Sequence, residues 1–154
     1  MARRTIDLGE FVHDEKLANA ALSPGHLLER LSTDKVQKHS TEGGYWNYTV
    51  AKEQALGPTA GDLSKAGSVD DAYAANELVP IKVAQPNSRL ALLLKAGVNY
   101  AIGDKLISDG AGRVKKLTAV SSGVTVKQVV GECLEAVALS ASGSVDTLGM
   151  VQIY

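Results

Sequence analysis

Along this chain apolar and polar residues alternate over short stretches, the pattern of half-buried strands. No window of about 15 residues keeps an apolar stripe at three- and four-residue spacing, so long amphipathic helices are not expected. In Leu78-Val79-Pro80-Ile81-Lys82-Val83 the alternation puts Val79, Ile81 and Val83 on one face and Pro80 and Lys82 on the other. Pro80 has no N–H to give a neighbour, which predicts an edge strand or a strand beginning there. Pro86-Asn87-Ser88 reads as a turn, and Leu90, Leu92 and Leu94 alternate on the strand after it. Val124 to Leu139 is rich in strand formers, with Gly131 marking a bulge or bend, and Met150 to Tyr154 forms a last strand.

Two hairpins are legible. Leu27–Leu31 and Lys35–Lys38 flank Ser32-Thr33-Asp34, and Leu106–Ser108 and Arg113–Leu117 flank Asp109-Gly110-Ala111-Gly112. The Asp-Gly step favours a tight turn because both residues tolerate positive φ. Short helices are expected at His13 to Ala21 and, behind a capping box at Ser68-Val69-Asp70-Asp71, through Ala75. The hairpins also echo one another at a constant offset, matching Gly25 with Gly103, Leu28 with Leu106, Val36 with Val114 and Lys38 with Lys116. A weaker echo relates Val50–Glu53 to Val130–Cys133. Two such β units packed together make a small barrel or sandwich, each burying a face the other leaves open. Gly57 to Ser68 is small and polar and reads as a surface loop. The division expected is an N-terminal arm over 1–20 and one β-rich domain over 21–154.

Composition narrows the classes. A chain of 154 residues suits one domain. Sixteen Lys plus Arg against 17 Asp plus Glu leave a net charge of −1, so nothing in bulk charge calls for nucleic acid or an anionic membrane as partner. The longest apolar runs, such as Leu90–Leu94, are far too short to span a bilayer as a helix. The start, Met1-Ala2-Arg3-Arg4, begins like the basic region of a signal peptide, but Asp7 and Glu10 interrupt any apolar stretch. Fifteen glycines beside one Phe and one Trp suit many tight turns around small aliphatic side chains.

Candidate chemistry is sparse. There is no Gly-x-Ser-x-Gly elbow. Cys133 stands alone in an apolar strand, where a thiol is inert, and cannot form an internal disulfide. His13-Asp14-Glu15 and the pair His26 and His39 hold metal-ligand types without a complete set, so no metal is expected. Asp109–Arg113 lacks the Walker ending and the Rossmann spacing, so no nucleotide or other cofactor is expected. Asp70-Asp71 fits a helix start, and Glu132 and Glu135 fall on opposite faces of a strand, so neither makes an acid/base pair. The expectation is a protein that is not an enzyme. Tyr45, Trp46 and Tyr48 cluster after Gly43-Gly44 and serve either as core filler or as interface aromatics. Arg113, Lys115 and Lys116 form a basic patch whose default is a solvated strand face.

Four segments carry a family likeness: Lys38–Gly44, Asp70–Asn76, Ala96–Asp104 and Leu106–Val114. In their order, with Val130-Gly131-Glu132-Cys133-Leu134-Glu135-Ala136 after them, they resemble the capsid cement, or head decoration, proteins of tailed bacteriophages. That resemblance covers about Ala21 to Tyr154 and rests on turns and strands. It implies a small β-tulip fold with an N-terminal arm, binding to the outer surface of a virion capsid, the major capsid protein as partner, self-association as a homotrimer, and no enzymatic activity. It transfers no catalytic or cofactor residue.

Within that reading the arm is the expected capsid contact. Thr5, Asp7 and Gly9 alternate with Ile6, Leu8 and Glu10, so the segment can pair extended with a sheet edge. Ile6, Leu8 and Phe11 would be apolar anchors, and Arg3 and Arg4 would meet capsid carboxylates. The alternative is a carbohydrate- or receptor-binding β module centred on Tyr45, Trp46 and Tyr48, favoured if Trp46 is exposed and weakened if it is buried. A biotinyl- or lipoyl-type carrier would need an exposed hairpin lysine, and Lys35, the only near candidate, lacks the flanking pattern.

Overall fold

The computed structural model describes residues 7–53, 72–118 and 127–154, and every regular element among them is a strand. In chain order these are β1 (Phe11–Leu17), β2 (Leu28–Arg30), β3 (Val36–Lys38), β4 (Thr49–Ala51), β5 (Leu78–Ala84), β6 (Arg89–Leu94), β7 (Asn99–Tyr100), β8 (Lys105–Ser108), β9 (Val114–Lys116), β10 (Val129–Cys133), β11 (Val137–Ala138) and β12 (Thr147–Ile153). β10, β12, β6, β9 and β8 close a five-stranded barrel. β1, β5 and β4 form a second sheet, while β2 with β3 and β7 with β11 make two-stranded ribbons. Among the described strands the pairings are antiparallel except β6 with β9, which join in parallel at the single pair Leu94 and Val114. The mainly-β, barrel-containing class read from the alternation is the one observed.

The helix expected at His13 to Ala21 is β1 instead, paired residue for residue with β5 from Phe11↔Ala84 to Leu17↔Leu78. Two isolated helical turns are unstable in water. Pairing along β5 gives each residue a cross-strand neighbour, and β1 flanks the apolar positions Val79 and Ile81. The capping box Ser68–Asp71 and the loop Gly57–Ser68 lie outside the described residues. The rest of the second expected helix is a bridge and a turn: Tyr73 pairs with Leu22, with Tyr73 N–H to Leu22 O at 2.7 Å, and the chain turns at Ala75-Asn76.

β5 is the centre of its sheet, so the edge position expected from Pro80 is wrong. Alternate residues of β5 turn their backbone groups to β4, where Lys52 N–H donates to Pro80 O at 2.9 Å. The reciprocal bond from Pro80 cannot form. The Lys52 carbonyl is taken instead by the Tyr73 hydroxyl at 2.7 Å, so a side chain fills the place of the missing N–H.

The two faces of β5 serve two cores. Val79 and Ile81, with Ala51 of β4, face a cluster completed by Ala18, Leu22, Leu28, Val36 and Tyr73. Ala84, with Val50 of β4, faces the barrel cluster of Trp46, Leu90, Leu92, Leu94, Leu106, Val114, Val151 and Ile153. The sheet is thus a shared wall, and Lys82, on the barrel side, is buried with the apolar residues rather than lying on a solvated face.

The echo between hairpins is local. Gly25 and Gly103 both adopt positive φ, at 84° and 88°, and Leu28, Leu106, Val36 and Val114 are all fully buried. Yet β8 and β9 belong to the barrel, while β2 and β3 pack on the other core. The strand-rich stretch to Leu139 holds two strands, β10 and β11, and its first residues lie outside the described ones. The register slips between Val129 and Gly131 against β8, so Gly131 does mark a bulge.

Candidate functional site

The root of the N-terminal arm is built into the body. Leu8 N–H donates to Arg89 O at 3.0 Å and Arg89 N–H to Leu8 O at 2.6 Å. Asp7 turns inward, accepting the Ala91 N–H at 3.3 Å and forming a buried ion pair with Lys82. Gly9, at φ 130°, lies so close on Ser88 that a Cβ would come within 2.9 Å of its Cα. The Glu10 carbonyl accepts Ser88 Oγ–H at 3.2 Å and Gln85 N–H at 3.3 Å. Phe11 packs against the barrel core and the Lys82 Nζ stands 5.8 Å from its ring centroid. Burial pushes the Lys82 ammonium down to about 8, and the Asp7 carboxylate is the charge that opposes this.

The expected capsid anchors therefore divide. Arg3, Arg4 and Ile6 lie outside the described residues. Leu8 points outward and is 54% exposed. Phe11 is committed to this chain's own core, within β1. Val12 and Leu17, not singled out from the sequence, are also exposed on β1.

The aromatic cluster divides as well. Trp46 is fully buried, its Nε1–H donating to Thr49 O at 3.0 Å, its backbone N–H bonded to Gln128 Oε1, and its ring tilted against Tyr48 at 5.2 Å. It fills the core and offers no face to a sugar. Tyr45 is 77% exposed. Its carbonyl is held by buried His39, whose Nε2 lies 2.8 Å away and must donate because a carbonyl only accepts.

His39 Nδ1 meets Ser108 Oγ at 2.8 Å, a serine–histidine contact of hydrolase length. Ser108 is fully buried and its Oγ also accepts Gly110 N–H at 3.2 Å, so this contact ties the loop after β3 to the β8–β9 hairpin. His26 accepts the Ser23 N–H at Nδ1, 2.8 Å. Burial, with Lys38 and Arg113 nearby, pushes its imidazolium down to about 4. The two histidines are thus each hydrogen-bonded into the fold, and no group of metal-ligating side chains occurs among the described residues.

The basic patch is paired internally. Arg113 bonds Asp109 Oδ2 through Nε at 2.8 Å and Asp146 Oδ2 through a terminal nitrogen at 2.9 Å. Lys115 pairs with Glu42 and Lys116 with Asp104, each at 2.8 Å. The Arg113 clip was not read from the sequence, because Asp146 is remote along the chain. Lys82 carried one signal, a lone cation in an apolar run. Cys133 is buried, its Sγ 3.1 Å from Glu135 O, and burial pushes the thiol up. Glu132 instead joins Lys105 and the Tyr154 hydroxyl on the surface.

No family model matches the sequence, and no curated protein matches it. Among solved structures the chain is similar to the N base of the head fiber gp8.5 in bacteriophage phi29, with a TM-score of 0.58 and 14% identity. The likeness covers 94% of this chain and 95% of that one, and at this identity it is a likeness of fold.

Proposed function

We propose that this chain is a structural protein of a tailed-phage virion that sits on the outer face of the capsid as a homotrimer and cements the shell, without catalysis. The observation that carries the reading is the fold shared with the base of a phage head fiber over nearly the full length of both chains. The turn and strand motifs that resemble capsid decoration proteins support it independently of that fold. A protein that binds the assembled lattice and not its separated subunits stabilises the lattice by linkage. Trimeric attachment multiplies modest contacts into avidity. Residues 1–6 and the outward Leu8 are the contact expected to reach the major capsid protein.

The test is co-sedimentation of the purified chain with capsids of its source phage that lack it. Saturable binding, weakened by deleting residues 1–6, is the expected result. That deletion spares Asp7, the counter-ion of Lys82. No binding to mature or immature shells would overturn the proposal.

A further inference from the structure

The barrel closes weakly at one seam. β6 pairs with β12 along its whole length but with β9 only at Leu94. Alternate amides of β6 therefore point to different neighbours. Those of Leu90, Leu92 and Leu94 face β12. Those of Arg89, Ala91 and Leu93 face outward, where Leu8 O, Asp7 Oδ1 and Gly25 O accept them in turn. Two of these three acceptors belong to residues 7–8. The same residues bring the carboxylate that pairs with Lys82, and Phe11 closes over that ammonium.

We propose that residues 7–10 form a strap, latched by the Asp7–Lys82 pair, that covers the β6 edge and opens as a unit separate from the barrel. The reasons are electrostatic and topological. A buried ammonium without its partner is strongly unfavourable, so the carboxylate holds the strap down. The strap makes its backbone bonds at Leu8 and Glu10, with Gly9 between them at positive φ, a conformation side-chain-bearing residues rarely adopt. Opening it leaves the barrel pairing of β6 with β12 intact while baring two edge donors, at Arg89 and Ala91. A bared strand edge is a template for another extended segment. The strap is thus a device that keeps the edge closed.

Native-state amide hydrogen exchange on the full chain tests this. Asp7→Asn is expected to speed exchange at Arg89 and Ala91 by about tenfold or more, through an opening with a much smaller urea dependence than the one that exposes Leu90 and Leu92. Unchanged protection at Arg89 and Ala91 would overturn the latch. The same urea dependence at Leu90 and Leu92 as at Arg89 and Ala91 would overturn the separate strap. If Asp7→Asn does not fold, wild-type protein in low urea decides: the Arg89 and Ala91 amides should exchange through an opening with a much smaller urea dependence than Leu90 and Leu92. A shared urea dependence would overturn the proposal.

Discussion

His26 shows how one residue couples this fold to pH. Its folded-state pKa, about 4, lies below the ordinary 6.5, so the unfolded chain binds the proton more readily. Stability is then complete above 6.5 and falls as pH drops from 6.5 towards 4, by up to about 3 kcal/mol for this group. Urea unfolding of wild type and His26→Gln across that range should show the slope in the first and its loss in the second. Tyr73 gives a second test at this scale. Its hydroxyl fills the hydrogen bond that Pro80 cannot make, so Tyr73→Phe should cost about 1–2 kcal/mol. In a Pro80→Ala background the restored N–H competes for the Lys52 carbonyl, and the cost of Tyr73→Phe should shrink. A double-mutant cycle by chemical denaturation measures that difference.

Among the elements, β10 and the β8–β9 hairpin carry the clearest constraints. Gly131 sits at the bulge of β10 with its α-carbon against the backbone of Gln152 in β12. A Cβ there meets main-chain atoms that cannot rotate away, so Gly131→Ala should destabilise by about 2–3 kcal/mol in urea titration. The hairpin is clipped by Arg113, whose partner Asp109 has a carboxylate only 1% exposed. Arg113→Ala leaves that buried charge without its cation and should cost about 2–3 kcal/mol. Lys116→Ala, which breaks a pair at the surface, should change stability by less than about 1 kcal/mol.

For the whole molecule, the wall shared by two cores makes folding a joint event. Val79 and Ile81 belong to one core and Ala84 to the other, all on one strand. Unfolding either core removes the support of β5, so both should melt in one transition, seen as coincident Trp fluorescence and far-ultraviolet dichroism. Tyr45 stands apart from both cores. Tyr45→Ala should leave stability within about 0.5 kcal/mol. Loss of capsid co-sedimentation in that variant would then identify Tyr45 as a contact.

By itself the sequence determined what local chemistry determines. The alternation at Leu90, Leu92 and Leu94 marks a strand because side chains of a strand alternate faces. The Asp109-Gly110 turn places a hairpin because positive φ is accessible there, and the bulge at Gly131 needs a residue without a side chain. Only the tertiary structure decided what depends on neighbours remote in the chain. His13 to Leu17 became a strand because β5 lay beside it, and Pro80 reached the centre of a sheet because Tyr73 supplied the lost donor. Alternation showed that Lys82 opposes Val79 and Ile81, but not that a second core would bury that face or that Asp7 would meet it there. Trp46 was equally suited to core and interface by its chemistry, and packing alone put it inside. The burial of Trp46 and the pairing of Lys82 with Asp7 and of Arg113 with Asp146 are properties of the assembled chain, since each brings together segments far apart in sequence.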